Sequence, residues 1–233
     1  MSDYEPETAA DLIHQELRAQ ILVGNFLPGD RVSIRALAQS RGSSVIPVRD
    51  AVRRLVAEGA LCFIDSRTIE VPRLNLINHR DVLFSRVKLE PELAFRAFDR
   101  LSQRDLDALL TLDQAVNTAI ATGDLALYMR SNFDFHFRIY RHAEAPTLLR
   151  LVELLWLQYG PSMRYIATQY GAQDLADDFH RAATDALTHR RRDAFVAAIE
   201  ADIAQGMELI LAAENGLVAE AKDGQPISTS KRP

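Results

Sequence analysis

Cysteine is nearly absent from this 233-residue sequence, since Cys62 is the single one. No disulfide can therefore form within one chain, and because Cys62 lies in an apolar run we expect its side chain to be buried. Long apolar segments are absent as well, since none approaches the roughly 20 residues of a membrane-spanning helix. The acidic N-terminus lacks the apolar core of a secretory signal peptide. We expect a cytoplasmic protein that does not contact a membrane.

A strong overall charge is lacking too, because the formal net charge is only −5. The balance differs along the chain: residues 12–80 contain ten arginines but six acidic residues, and the acidic excess lies in the remainder. A locally basic region on an otherwise acidic protein weakly indicates an end that faces DNA. With 48% hydrophobic residues, the chain is long enough for two domains, each with its own core.

Residues 1–75 contain the only strand signals, and their pattern predicts a winged helix-turn-helix domain. Polar caps mark the starts of three helices: Thr8, Ser33, and Ser43 or Ser44. Gly59 is expected to end the third helix. Residues 61–64 and 69–71 flank a polar tip, which predicts a two-stranded hairpin.

Residues 76–215 predict an all-helical antiparallel bundle, so the fold class is mainly α. The connections are only a few residues long, as they are between antiparallel neighbours. About six helices are expected, over residues 78–100 and 102–122 and then starting near residues 124, 146, 171 and 192. Residues 216–233 are polar with glycine and proline, which predicts a disordered tail.

One side of the third helix is expected to face DNA. Apolar residues at helical spacing turn the other side inward, which leaves these side chains exposed: Ser44, Val45, Arg49, Arg53 and Arg54. Arg49 has the planar fork that matches a guanine edge or a phosphate. The alternative is a solvated face on which arginines form local ion pairs with Asp50 or Glu58.

Two stretches of this domain resemble the GntR family of bacterial regulators. Residues 21–32 read ILVGNFLPGDRV, similar to the family's I-x-x-G-x-x-x-P-G-x-x-L. Residues 44–59 read SVIPVRDAVRRLVAEG, similar to S-R-T-P-V-R-E-A-L-x-x-L-x-x-E-G. The resemblance implies a domain that binds a double-stranded DNA operator. It places the DNA contacts at Arg35, Ser44, Val45, Ile46 and Arg49, and Arg67 lies at the tip of the expected wing.

The chain departs from the family pattern at the start of the third helix. Val45 stands where the family usually has arginine, and Ile46 where it usually has threonine. The wing also lacks the usual glycine. Losing a bidentate base contact costs about 1–3 kcal/mol of discrimination. We therefore expect an unusual operator preference or affinity.

The resemblance extends to about residue 207, where the helical half is similar to the six-helix form of the FCD effector domain. In that form an Asp and three His commonly hold a divalent metal beneath a pocket for an organic acid, and these positions fall on Asn132, His136, His180 and Asp202. Asn replaces the Asp, and Asp replaces one His. Imidazole and carboxylate ligands suit zinc or nickel, but the two replacements reduce the nitrogen donors from three to two, which weakens the case for tightly held zinc and leaves room for a harder ion. From spacing alone, two hydrogen-bonded core histidines remain the alternative.

An organic acid effector would need a cation, and the resemblance implies that Arg86 faces the effector pocket. The alternative is an ion pair with Glu90 on the helix surface. Trp156, Tyr159 and Tyr165 could line the same cavity, or they could be plain core or dimer contacts.

The function predicted from these features is a transcription regulator that binds DNA as a homodimer and whose DNA affinity responds to a small organic acid. Two alternatives stay open. One is a metal-dependent hydrolase built on the bundle, although the sequence has neither a glycine-rich phosphate loop nor a serine elbow and shows no evident general base. The other is a helical dimerisation protein whose DNA module has decayed at Val45 and Ile46.

Overall fold

The computed structural model describes residues 7–74, 76–164 and 178–222. In the N-terminal domain three helices accompany a small sheet: α1 (Ala9–Leu22), β1 (Arg31–Ser33), α2 (Ile34–Ser40), α3 (Val45–Ala57), β2 (Cys62–Phe63) and β3 (Thr68–Glu70). The strands are antiparallel in the order β1-β3-β2. This arrangement is a winged helix-turn-helix in which β2 and β3 form the wing.

Side-chain caps begin the helices where the sequence predicts them. Thr8 and Asp11 form a reciprocal capping box at the start of α1, and the Ser33 hydroxyl accepts from the N–H of Ala36 at the start of α2. Ser44 is the N-cap of α3, and its side chain makes no capping hydrogen bond there. The first turn of α3 therefore keeps backbone N–H groups that helical bonding does not use.

The predicted hairpin of β2 and β3 is present, and β1 pairs with β3 to extend it to a three-stranded sheet. Val32 lies opposite Ile69 in this pairing, and a strand of three residues is too short to show an alternating pattern in the sequence. Cys62 is only partly buried, contrary to the expectation of full burial. Its position on β2 at the edge of the sheet leaves one side uncovered.

The C-terminal domain is all-helical in its described residues. Its helices are α4 (Leu76–Ala97), α5 (Gln103–Thr122), α6 (Leu125–Tyr140), α7 (Pro146–Tyr159), α8 (Phe179–Thr188) and α9 (Arg192–Lys222). Short 3-10 turns follow α4, α6 and α7, at Phe98–Arg100, Arg141–Ala143 and Gly160–Met163. The helix start predicted near residue 171 lies outside the described residues.

The last helix is longer than the sequence predicts. It continues to Lys222, so residues 216–222 differ from the expected disordered tail. Residues 217–222 read LVAEAK, in which two alanines, a leucine, a glutamate and a lysine favour a helix, and the next proline is Pro226.

Helix α4 is central to the bundle, because it packs against α6, α7 and α9. Charged side chains on α4 are thereby carried into the interior, where Arg86 and Glu90 are both buried. None of the described helices combines the length and the apolar character that crossing a membrane requires.

The two domains contact each other through α1 of the N-terminal domain. Helix α1 packs against α7 and the 3-10 turn that follows it. Nη2 of Arg18 lies 3.2 Å from Oε2 of Glu153, and Nη1 of Arg164 donates to the carbonyl of Gly24 at 3.4 Å. Gly24 has a φ of +73°, and a Cβ there would lie 3.1 Å from the Met129 side chain. The DNA-binding domain is thus docked on α6 and α7 of the bundle.

Candidate functional site

Three side chains from three helices of the bundle converge. His136 on α6, His180 on α8 and Asp202 on α9 place ligand atoms within 4.8 Å of one another. Nε2 of His136 lies 3.1 Å from Oδ2 of Asp202 and 3.4 Å from Nε2 of His180. Asn132, one turn before His136, lines the same small cavity. The structure therefore brings together all four residues that the resemblance names as metal ligands.

The hydrogen bonds around His136 decide which ring nitrogen carries the proton. A phenol has one proton, and Tyr140 donates it to Oε2 of Glu90 at 2.7 Å. Toward Nδ1 of His136, 3.0 Å away, the same oxygen must accept, so Nδ1 carries the hydrogen. In the neutral imidazole Nε2 then presents a lone pair to Asp202, which is the orientation of a metal ligand.

Burial and nearby charges of opposite sign act in opposite directions on the pKa values of Asp202 and His180, the two side chains next to His136. Burial would raise the pKa of Asp202, but His180, His136 and Arg86 outweigh it and lower that pKa to about 2. Burial lowers the pKa of His180 to about 4, so this ring is neutral at pH 7. Nε2 of each histidine and the carboxylate of Asp202 face one another at the centre of the cluster. The donor set therefore fits a divalent metal ion.

A further carboxylate lies behind His180, slightly beyond hydrogen-bond distance. Oδ1 of Asp113 on α5 lies 3.7 Å from Nδ1 of His180, and the ring of His180 stacks on Phe135 at 3.9 Å. Burial, together with the charge of Asp178, raises the pKa of Asp113 to about 6. A carboxylate behind a histidine is a common second partner of metal ligands. Sequence reasoning missed Asp113, because nothing in the spacing relates α5 to α8.

Arg86 lies against the metal-ligand cluster and is 4% exposed. It does form the ion pair with Glu90 that the sequence suggests, with Nε 2.5 Å from Oε1, but the pair is buried rather than on the helix surface. The guanidinium also lies 4.0 Å from the ring centroid of Tyr159. Burial would lower the pKa of Arg86, and the charge of Glu90 outweighs it and raises that pKa. Arg86 is therefore a fixed positive charge.

The cavity between Arg86 and the metal-ligand cluster has a volume of about 30 Å³. A cavity of this size has room for about two water molecules, so it has to widen before an organic acid can enter. Tyr159 and Met163 form part of its wall. Trp156 lies behind the wall and donates to Glu90 at 3.2 Å, while Tyr165 lies outside the described residues.

The expected DNA-facing surface lies at the start of α3 and at the wing. The side chains of Arg35, Ser44, Val45, Ile46 and Arg67 are exposed, whereas Arg49 is half-buried. Nη1 of Arg49 donates to the carbonyl of Ser66 at 2.9 Å, which ties the recognition helix to the wing. Sequence reasoning did not single out Phe63 and Ile64, which are apolar and exposed on the wing.

The alternative of an arginine face neutralised by Asp50 and Glu58 holds only in part. Arg53 pairs with Asp50 at 3.6 Å. Arg54 instead pairs with Asp11 on α1 at 2.5 Å. Within the described part of the chain Arg49 forms no ion pair, and Glu58 is engaged by α1 rather than by an arginine of α3. Arg49 therefore keeps its charge available at the surface.

Comparisons with known proteins identify two families along the chain. The family "Bacterial regulatory proteins, gntR family" matches residues 9–71, and the FCD domain matches residues 81–205. The HTH-type transcriptional regulator McbR of Escherichia coli is 29% identical over 154 residues, 66% of this chain and 70% of McbR. The Nta operon transcriptional regulator of Aminobacter aminovorans is 25% identical over 199 residues, 84% of this chain and 91% of that protein.

Solved structures show the same fold. E. coli McbR/YncC superposes with a TM-score of 0.81 at 24% identity, over 90% of this chain and 100% of that one. A putative GntR regulator from Rhodococcus sp. RHA1 gives a TM-score of 0.73 at 17% identity, over 88% and 98% of the two chains. The matched families and named relatives are transcription regulators and not enzymes, which removes the hydrolase alternative. The chain belongs to the GntR family of transcription regulators and carries an FCD effector domain.

Proposed function

We propose that this regulator binds its operator as a homodimer and that an organic acid, bound beside a divalent metal ion in the bundle, changes its DNA affinity. The observation that carries the proposal is the convergence of His136, His180 and Asp202 next to the buried positive charge of Arg86. A metal site and a guanidinium on the same cavity together suit an anionic ligand.

In this proposal His136, His180 and Asp202 hold the metal, and Asn132 supplies an amide oxygen as a fourth ligand. Two imidazoles with oxygen donors suit zinc or nickel first, and a harder ion less well. When bound, the metal supplies positive charge and a coordination position that a carboxylate can occupy. Tyr140 orients His136, and Asp113 faces the outer nitrogen of His180.

The cavity is linked to the DNA-binding domain by a short path. Tyr159 and Met163 form part of the cavity wall, and the next residue, Arg164, donates to the carbonyl of Gly24. An acid that widens the cavity has to move this wall, and with it the surface on which α1 rests. Effector binding would then favour one placement of the recognition helix over another, which is the coupling an allosteric regulator needs.

Two copies are required for two half-sites about one DNA turn apart. We infer that they meet through the outer face of α4, which exposes Ile77, Phe84 and Phe95. The same face carries Asp81 and Lys88, whose opposite charges suit a surface that pairs with itself.

Sedimentation tests the dimer face. Phe84→Asp is expected to shift the protein toward monomer and to weaken operator binding, because a charge in the contact is not compensated. The matched control is Leu110→Asp on α5, where an apolar side chain is exposed to a comparable degree. Equal effects of the two substitutions, or none from Phe84→Asp, would contradict this face.

The central experiment combines metal analysis of native protein with a melting screen over small organic acids. We expect about one divalent ion per chain and a rise in melting temperature with one class of acid. Arg86→Lys, which keeps the charge but loses the bidentate fork, is expected to reduce that rise. Protein without metal and without a response to any acid would disprove the sensor part of the proposal.

DNA binding is tested separately by retardation of the DNA upstream of the protein's own gene. We expect sequence-selective binding that weakens with salt. Arg49→Ala is expected to cost about 10- to 100-fold in affinity, whereas Arg54→Ala, which removes an arginine paired with Asp11, is expected to cost much less. An absence of selective binding would favour the alternative of a decayed DNA module.

A further inference from the structure

The recognition helix presents a large apolar side chain at its outermost point. Ile46 is 74% exposed and Val45 is 37% exposed, both in the first turn of α3. Val48, Val52 and Leu55 are buried on the inner side, and at 100° per residue Ile46 lies nearly opposite to them. Single exposed apolar side chains are common on protein surfaces, so it is the position of Ile46 in the first turn of the recognition helix that points to a partner there.

Helical spacing places Ile46 on the same exposed face of α3 as three charged residues. Arg49, Asp50 and Arg53 follow it by three, four and seven positions. Arg49 is fixed by the carbonyl of Ser66, and Arg53 is paired with Asp50. The first turn of a recognition helix is the part that reaches base edges in the major groove. Ile46 is therefore the most exposed apolar side chain in the part of this helix that would reach base edges.

Isoleucine and valine cannot hydrogen bond to a base. The apolar group that B-DNA offers in the major groove is the 5-methyl group of thymine. We propose that Ile46, with Val45 beside it, recognises thymine methyl groups in each half-site of the operator. The inference rests on the proposed DNA binding and adds which chemical group the first turn of α3 reads. It also gives the two departures from the family's arginine and threonine a role in specificity.

The size of the effect follows from burial of a methyl group. Covering one such group is worth roughly a fourfold change in affinity, so one thymine in each of two half-sites gives about 16-fold. Phosphate contacts do not involve the methyl group, so its loss is expected to leave the salt dependence of binding unchanged.

The test begins with a random-sequence duplex pool, from which purified full-length protein selects its preferred site. Each thymine of that site is then replaced by deoxyuridine, which removes the methyl group and keeps the base pair. We expect one or two positions per half-site where this replacement weakens binding about fourfold each, and no effect elsewhere. A site that contains no thymine whose methyl group matters would overturn the inference.

Ile46→Ala links the effect to this side chain. The variant is expected to fold normally, because Ile46 is exposed, and to bind thymine and deoxyuridine sites equally well. Ile64→Ala, which removes an exposed apolar side chain from the wing, serves as the matched control and is expected to keep the preference for thymine. If Ile46→Ala still bound deoxyuridine sites more weakly than thymine sites, another side chain would recognise the methyl group and the inference would be wrong.

Two other outcomes separate this inference from the function on which it rests. Selective, salt-sensitive binding with no response to deoxyuridine would leave the regulator intact and remove the methyl readout. Failure to select any DNA would overturn the DNA-binding function and the inference together. If Ile46→Ala left DNA binding unchanged but abolished self-association, the side chain would face a protein, which contradicts the proposal.

Discussion

Nδ1 of His136 lies 3.0 Å from the hydroxyl oxygen of Tyr140. Because Tyr140 donates its own proton to Glu90, the histidine has to donate toward Tyr140, and its other nitrogen is the one that faces Asp202 and His180. Glu90 is in turn held by Arg86. A line of hydrogen bonds thus joins the proposed metal site to the buried arginine, and it fixes the orientation of one ligand before any metal binds.

Tyr140→Phe is therefore expected to weaken metal binding about 10- to 100-fold, as is typical when the partner behind a ligating histidine is lost. Competition with a chromophoric chelator measures this affinity. The matched control is Tyr159→Phe, which removes a buried hydroxyl that makes no hydrogen bond to any described residue. If the two variants bound metal equally well, Tyr140 would have no orienting role.

The ion pair between Arg86 and Glu90 leads to a prediction about stability. Arg86→Ala leaves the Glu90 carboxylate buried without its cation, so the free energy of unfolding is expected to fall by about 3–5 kcal/mol. Replacing both partners, as Arg86→Met with Glu90→Gln, is expected to recover most of that loss. Urea denaturation at pH 7 with a chelator present measures both without a contribution from bound metal.

A second pair on the same helix provides the control. Arg96 and Glu92 have the same spacing as Arg86 and Glu90, but both are exposed. Arg96→Ala is expected to cost less than about 0.5 kcal/mol, because water screens this pair. A loss in Arg86→Ala that is no larger than the loss in Arg96→Ala would show that burial of the inner pair has no energetic consequence.

Much of the fold follows from local signals in the sequence. Capping residues such as Thr8, Ser102 and Asp124 begin helices where their side chains can accept from the backbone, and the structure has these caps. The motif in residues 44–59 placed α3, and the apolar segments on either side of residues 65–68 placed the wing. These features depend on neighbours within a few positions, so single-sequence reasoning can reach them.

Features that depend on contacts between residues far apart in the sequence could not be predicted in this way. Strand β1 exists because it pairs with β3, and Asp113 approaches His180 only because α5 packs against α8. Nothing in the spacing of the histidines shows that they meet, and the family resemblance alone suggested it. The contact of Arg18 with Glu153, which docks one domain on the other, has no sequence signal either.

Asp105 gives a prediction for acid conditions. Burial would raise its pKa, but hydrogen bonds from Ser102 and the nearby His142 and Arg138 outweigh this and lower the pKa to about 2. A carboxyl whose pKa is lower in the folded state stabilises the fold above its unfolded pKa of about 4, and this contribution is lost as the pH falls from about 4 to about 2.

Asp105→Asn is therefore expected to lower the free energy of unfolding by up to about 2 kcal/mol at pH 6 and by about half as much at pH 3. Urea denaturation across this range, with a chelator present throughout, measures the change. Asp107→Asn removes an exposed carboxylate from the same helix and serves as the control. A loss in Asp105→Asn that did not shrink toward low pH would contradict the assigned pKa.

The docking of the two domains is tested at Gly24. Both Gly24 and Gly42 have positive φ angles, +73° and +59°, so alanine at either position carries a backbone cost of about 1–2 kcal/mol. At Gly24 the new methyl group would also lie 3.1 Å from Met129 on α6, whereas at Gly42 there is nothing within 4 Å. Gly24→Ala is thus expected to disturb the contact between the domains, and Gly42→Ala only the local backbone.

We therefore expect Gly24→Ala to lose more stability than Gly42→Ala and to change operator affinity or its response to effector, measured by urea denaturation and DNA retardation. Adding Met129→Ala to Gly24→Ala removes the side chain that clashes, so the double variant is expected to regain the response to effector, although Met129→Ala has its own cavity cost. Equal behaviour of Gly24→Ala and Gly42→Ala in both measurements would mean that the contact between Gly24 and α6 does not transmit the signal. The path from the cavity to α1 would then have to run through the ion pair of Arg18 with Glu153.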